Sequence, residues 1–147
     1  MLRPYELNDM ADKIRLRVVT PTRLVFDEEV DEVTAPGELG EFGVLPNHIA
    51  FLSTLVPGVL SYKQDSKVQT LAITGGYAEV LDNVMTVLAT AAEFPAEIDT
   101  ARAQQAKEQS EKILAALNYE DKEFKTAEAA LQRAVVRLQV ASKEARR

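Results

Sequence analysis

Asp99 and Arg102 stand three residues apart in EIDTARA, residues 97–103, and further along the chain Arg133 and Arg137 stand four apart. Three arginines are the side chains best suited to a polyphosphate, because the planar guanidinium fork grips phosphate oxygens in pairs. They can converge only if Arg133 and Arg137 share one face of a helix that runs antiparallel to a helix starting near Asp99. Glu93, Glu97 and Asp99 are the carboxylates closest to such a patch along the chain. Taken alone, Asp99 reads as an N-cap or first-turn residue with Arg102 in a local ion pair, an arrangement worth roughly a few tenths of a kcal/mol. The pair Arg133 and Arg137 is what adds a ligand to that reading.

Other chemistry is thinly represented. His48 is the single histidine and there is no cysteine, so neither a histidine metal site nor a thiolate site can be assembled. No nucleophile, base and orienting group recur at a recognisable spacing; an enzyme and a catalytic residue set are therefore not expected. His48 reads as a turn or interface residue. Asp27, Glu28, Glu29, Asp31 and Glu32 crowd one acidic turn without the glycine and terminal glutamate of an EF-hand loop. In PGELGEFGVLPNHIA, residues 36–50, glycine recurs every third position. That spacing is not a phosphate-cradling loop; it predicts glycines at positive φ in turns and bulges, and an exposed loop presenting Glu38, Glu41 and Phe42 to a partner.

The elements that must hold these residues fall into two parts. Residues 1–91 carry 7 Lys or Arg against 13 Asp or Glu, whereas residues 92–147 carry 10 of each. The acidic part argues against a nucleic-acid partner, which requires a basic face. The start of the chain has no apolar h-region, and IAFLSTLVPGVL is too short and too interrupted to cross a bilayer, so no direct membrane insertion is expected. From Ile14 to about Ala91, short alternating runs separated by turns predict strands in KIRLRVV, VTPTRLVFDEEV, EVDEVTAP, GVLSYK, KVQTLAITG, GYAEVL and NVMTVLAT, with Asp82-Asn83 turning a hairpin. The expectation is a small β-sandwich or barrel over residues 14–91.

Residues 96–147 contain no glycine or proline and are dominated by good helix formers. Ala103, Ala106, Ser110, Ile113, Leu114 and Leu117 form one stripe at helical spacing, and Phe124, Ala127, Leu131, Ala134, Val135, Leu138 and Ala141 another, with a break at Asn118–Asp121. This predicts an antiparallel helical hairpin over residues 92–147. Alanine-rich stripes remove little apolar surface from water, so the pair should be marginal by itself, able to dock on the β-domain in one state and extend along a partner in another.

VVTP at 18–21, VTAPGELGEFGVLPNH at 33–48, PGV at 57–59, TGGYAEV at 74–80, MTVLA at 85–89 and IDTARA at 98–103 together resemble the epsilon subunits of bacterial rotary F-type ATP synthases, from about Ile14 to the end of the chain. The resemblance implies an α+β fold, an N-terminal β-sandwich followed by a C-terminal α-helical hairpin. It implies a non-catalytic central-stalk subunit that binds gamma, rests on the c-ring, couples ring rotation to the catalytic head, and lies peripherally on the cytoplasmic face of the bacterial inner membrane. Its hairpin, when extended, would reach the catalytic alpha and beta subunits and suppress ATP hydrolysis.

Residue by residue, the resemblance places Glu41 in the ring-facing turn and His48 at or near the gamma contact. Ile98, Asp99, Arg102 and Ala103 satisfy the family's nucleotide signature, Arg133 and Arg137 match its arginine pair, and Glu93 fits the acidic position before the motif. ATP would then be a regulatory ligand, with no cofactor required. Gln109 departs from the pattern where several nucleotide-binding members carry arginine. Residues 1–13 do not fit the family and read as a disordered extension, with Met10 an alternative start. A stand-alone nucleotide-sensing adaptor that regulates another complex through its hairpin is the competing expectation.

Overall fold

The structure, a computed structural model, describes residues 12–145. The expected N-terminal extension lies outside the described residues except for Asp12 and Lys13. Those two are bonded to the sandwich: Asn47 Nδ2 donates to Asp12 at 2.8 Å, and Lys13 Nζ donates to Asp31 at 2.6 Å.

Eight strands follow: β1 (Ile14–Val19), β2 (Leu24–Val30), β3 (Glu32–Gly37), β4 (Gly40–Val44), β5 (Phe51–Gln64), β6 (Lys67–Leu81), β7 (Val84–Ala89) and β8 (Ala92–Glu93). The sheet order is β2-β1-β7-β6-β5-β3-β4, with β8 on β6; β1 and β7 are parallel and the other pairs antiparallel. In β1, Ile14, Leu16 and Val18 are fully buried while Arg15 and Arg17 are exposed, as period-two alternation requires. Four strand spacings of about 4.8 Å would put β2 and β5 about 19 Å apart in a flat sheet. Instead the rings of Phe26 on β2 and Tyr62 on β5 meet at 4.5 Å. The sheet therefore folds over itself, and one core draws residues from β1 through β8.

Three boundaries differ from the sequence expectation. Residues 36–50, read as a loop, contain the end of β3 and all of β4; of the three glycines there only Gly40 has a positive φ, 120°. KVQTLAITG and GYAEVL are one strand, bent rather than ended by Gly75-Gly76. At Gly76, with φ 135°, a Cβ would lie 1.9 Å from the Leu88 carbonyl oxygen, so only glycine lets β6 and β7 approach this closely. The strand begun at GVLSYK reaches back to Phe51. Asp82-Asn83 does turn the β6–β7 hairpin, both residues at positive φ, and Asp65-Ser66 does the same between β5 and β6.

A single 3-10 turn, Pro95–Glu97, leads to helix α1 (Thr100–Ala116) and then α2 (Lys122–Ala145). The two helices pack against each other, with Ala103 and Ser110 of α1 and Ala127 and Ala134 of α2 buried. The hairpin is docked on the sandwich. Val136 and Val140 of α2 are buried with Ala72 and Ile98, and Val59 packs against the same cluster. Val135, placed by its spacing in the inter-helix stripe, is exposed instead. The helix is covered on two sides, by α1 and by the sheet, and a one-stripe reading finds only the first.

Candidate functional site

Asp99 caps α1, its Oδ1 accepting the backbone N–H of Arg102 at 3.0 Å. The carboxylate thus meets the backbone of Arg102, where the sequence suggested an ion pair with its side chain. Capping sets where the helix begins and so sends the Arg102 side chain off its first turn. On α2, the four-residue step puts Arg133 and Arg137 on one face, and antiparallel packing brings that face to the start of α1.

The result is a cleft of about 390 Å³ lined by three cations, Arg102, Arg133 and Arg137, and three acids, Glu93, Glu97 and Asp99. Ala103, Ala106, Ala130 and Ala134 complete its wall. These alanines contribute little burial, yet their missing side chains are what leave the space between the helices open. The volume falls within the range of small-molecule sites.

The charges in the cleft are unevenly matched. Arg137 Nε donates to Glu93 Oε1 at 2.6 Å, tying α2 to β8. Glu97 pairs outside the cleft, with Arg23 of the β1–β2 turn at 2.7 Å, and its other oxygen accepts the Phe94 N–H at 3.0 Å. The Arg23 guanidinium beside it holds the Glu97 carboxyl below the usual carboxylate range, against a smaller opposing effect of burial. Among the described residues, neither Arg102 nor Arg133 has a carboxylate at ion-pair distance. Two unpaired guanidinium groups, and a third already paired with Glu93, face the same space, an arrangement suited to phosphate oxygens.

Six of the seven residues expected for a nucleotide site line this cleft: Glu93, Asp99, Arg102, Ala103, Arg133 and Arg137. The seventh, Ile98, is buried in the cluster that docks α2, where it can position the linker but offers nothing to the cleft wall. Gln109 is exposed on α1 and is not a lining residue.

The expected partner residues lie on and just after the β3–β4 hairpin, and none of them lines the cleft. Glu38 and Glu41 are exposed on the β3–β4 hairpin. Phe42 is half-buried against the core, its ring 5.1 Å from that of Phe51. His48 stands edge-on to Phe51 at 5.8 Å, with Nδ1 2.8 Å from the Ile49 carbonyl.

Sequence reading missed an apolar outer face. Register places Tyr77 beside Thr54 and Leu88, and Leu52 beside Glu79, so Leu52, Tyr77, Leu81 and Leu88 share one side of β5, β6 and β7, and all four are exposed. The signal was present in GYAEVL, whose outward phase carries Tyr77 and Leu81 on either side of Glu79. Among the described residues no helix is long and apolar enough to cross a membrane, and no cluster of acids and histidine is arranged to hold a metal ion.

Comparison with known proteins covers both parts of the chain. Residues 13–95 match the family model of the ATP synthase delta/epsilon chain β-sandwich domain, and residues 96–142 that of its long α-helix domain. The ATP synthase epsilon chain of Geotalea daltonii is 51% identical over 138 residues, covering 94% of this chain and all of the relative. That of Syntrophobacter fumaroxidans is 54% identical over 134 residues, covering 91% and 99%. Among solved structures, a chain of the Euglena gracilis mitochondrial ATP synthase superposes with a TM-score of 0.64 at 24% identity, over 92% of this chain and 82% of that one. A chain from the central stalk and c-ring of the Tetrahymena thermophila enzyme gives 0.58 at 17%, over 90% and 96%, and both likenesses concern the fold.

Proposed function

The chain belongs to the ATP synthase delta/epsilon family, among its epsilon chains, and from that premise we propose that it works in the central stalk as a non-catalytic rotor subunit whose helical hairpin senses ATP. In this reading the sandwich binds gamma through the exposed face of Leu52, Tyr77, Leu81 and Leu88, an apolar patch of the kind that marks a protein interface. The β3–β4 hairpin, with Glu38 and Glu41 exposed at its end, faces the polar loops of the c-ring; attraction there falls with salt. The subunit sits peripherally on the cytoplasmic face of the bacterial inner membrane, and its extended hairpin reaches the alpha and beta subunits to restrain ATP hydrolysis.

The observation that carries the sensing role is the composition of the cleft. Its walls come from three separate pieces, the β8-to-α1 linker, α1 and α2, so a ligand spanning them favours the docked hairpin over any state in which they separate. Asp99, Arg102, Arg133 and Arg137 hold the nucleotide, with the arginines on its phosphates.

Magnitudes agree with a switch. Docking rests on Val136 and Val140, and a fully buried valine is worth about 1.5–3 kcal/mol at most. ATP at ten times its dissociation constant adds about 1.4 kcal/mol, whereas reversing a 99-to-1 population takes about 5.5 kcal/mol. ATP therefore controls the hairpin only where its docked and extended states already lie close in energy, a balance that a docking cluster this small, with one ion pair beside it, favours.

The test is isothermal titration of the whole chain with ATP, repeated with Arg133→Ala and Asp99→Ala. Saturable heat in the native chain that is lost in both variants supports the sensor; absence of heat up to millimolar ATP removes it. The rotor role is checked separately by co-purification with gamma and the catalytic subunits.

A further inference from the structure

Glu97 lines the cleft, and a free carboxylate there would compete with phosphate for Arg102 and Arg133. It is not free. Oε2 is held by Arg23 Nη1 at 2.7 Å and Oε1 by the Phe94 N–H at 3.0 Å. Arg23 reaches the linker from a different element, the tight turn between β1 and β2, which is closed by Thr20 N–H to the Arg23 carbonyl at 2.9 Å and by Arg23 N–H to Thr20 Oγ1 at 3.3 Å. Its Nη2 also donates to the Ala92 carbonyl at 3.2 Å, so one guanidinium grips both ends of the segment from Ala92 to Glu97.

We infer that Arg23 is a positioning residue for the cleft: by holding Glu97 it keeps Arg102 and Arg133 unpaired, and so sets how tightly the docked hairpin takes an anionic polyphosphate. This role rests on the reading of the cleft as a nucleotide site. The charge count explains why it matters. Three carboxylates and three guanidinium groups line the cleft, a balanced set with no excess attraction for an anion. Arg23 is the fourth cation, standing just outside and neutralising one of the three acids. Its removal would return Glu97 to the cleft as an internal competitor for the two arginines that have no other carboxylate partner among the described residues. Arg23 is anchored in the sandwich and Glu97 in the linker, so the contact also makes ligand affinity depend on the seating of the hairpin root on the sandwich.

The experiment is ATP titration of four full-length proteins: native, Arg23→Ala, Glu97→Gln, and the double variant. Arg23→Ala should weaken binding by roughly tenfold, the effect of one competing charge-assisted contact. Glu97→Gln should bind at least as tightly as native. The double variant should recover native affinity, because the competitor is gone together with its restraint. Recovery also excludes misfolding as the cause of the single-variant loss. Native affinity in Arg23→Ala, or a double variant as weak as Arg23→Ala, overturns the role of Arg23 while leaving the site intact. Failure of the native chain itself to bind ATP overturns the nucleotide reading, and this role with it.

Discussion

Arg137 of α2 holds Glu93 of β8 with 2.6 Å between Nε and Oε1, and this is the one ion pair among the described residues that joins a helix of the hairpin directly to a strand of the sandwich. The same arginine lines the cleft, so in the proposed function it would serve docking and ligand binding at once. A phosphate that takes Arg137 must replace Glu93, and the ligand and the ion pair are partial substitutes for each other. Glu93→Gln should therefore loosen the empty hairpin, by about 1 kcal/mol or less for a pair with this much solvent access. Hydrogen exchange along α2 should quicken without ligand, and saturating ATP should remove the difference. Equal quickening with and without ATP would contradict the shared role of Arg137.

Val140 is fully buried in the docking cluster, away from the cleft. Val140→Ala should cost about 1–2 kcal/mol of docking, with little cavity penalty because the helix can settle onto the sheet. The sandwich core draws nothing from it, so β-sheet amides should keep their protection while those of α2 lose it. Uniform loss across both parts would mean that the hairpin and sandwich unfold as one unit.

Ala130 tests whether alanine is there for the space it leaves. It lines the cleft between α1 and α2. Ala130→Leu keeps helix propensity and adds apolar surface, so the helical pair should gain stability, by up to about 1 kcal/mol, as the cleft fills. ATP binding should fall by tenfold or more, on the order of 1.4 kcal/mol. Tighter packing with undiminished binding would place the ligand elsewhere.

Much of this arrangement was legible in the chain. Ile14, Leu16 and Val18 announced their strand by period alone, and Asp82-Asn83 its turn. The arginines of the cleft were found because helix geometry makes three- and four-residue spacing meaningful. What stayed hidden involves contacts between elements far apart in sequence. Val136 and Val140 face the sandwich, a second covered side that one-stripe periodicity does not reveal. Arg23 meets Glu97 across 74 positions, and no local pattern marks either as the other's partner. Phe42 looked exposed because its neighbours are glycine and glutamate; the hairpin that turns its ring onto Phe51 depends on pairing β4 with β3.

Asp27 ties the first two strands together, accepting from Arg15 Nε at 2.7 Å and Arg17 Nε at 3.2 Å. Its bond to Arg15 holds the carboxyl below the usual range, outweighing the opposing effect of desolvation, and the bond to Arg17 adds to the shift. Asp31 is lowered likewise, first by its bond to Lys13, again against desolvation. Folded values below the unfolded ones mean stabilisation that is complete above the unfolded carboxylate pKa and lost as pH falls through the folded one. Urea midpoints should therefore decline on acidification through and below the ordinary carboxylate range. Asp27→Asn should lower the neutral midpoint and flatten that decline; an unchanged acid limb would show that Asp27 contributes nothing to it.

The outer face of β5, β6 and β7 offers the sharpest separation between a rotor subunit and a free-standing sensor. Tyr77 and Leu88 are cross-strand neighbours, both more than half exposed, and the sandwich core contains neither. Tyr77→Lys and Leu88→Lys should leave thermal stability within about 0.5 kcal/mol of native, as expected for surface positions. If this patch seats gamma, each buried lysine charge should cost several kcal/mol at the interface, because desolvation there has no compensating partner. Co-purification with gamma should then fail while ATP titration of the isolated chain is unchanged, since the cleft shares no residue with this face. A variant that still assembles would move the gamma contact elsewhere on the sandwich, and a chain that never assembles but binds ATP would be the stand-alone sensor.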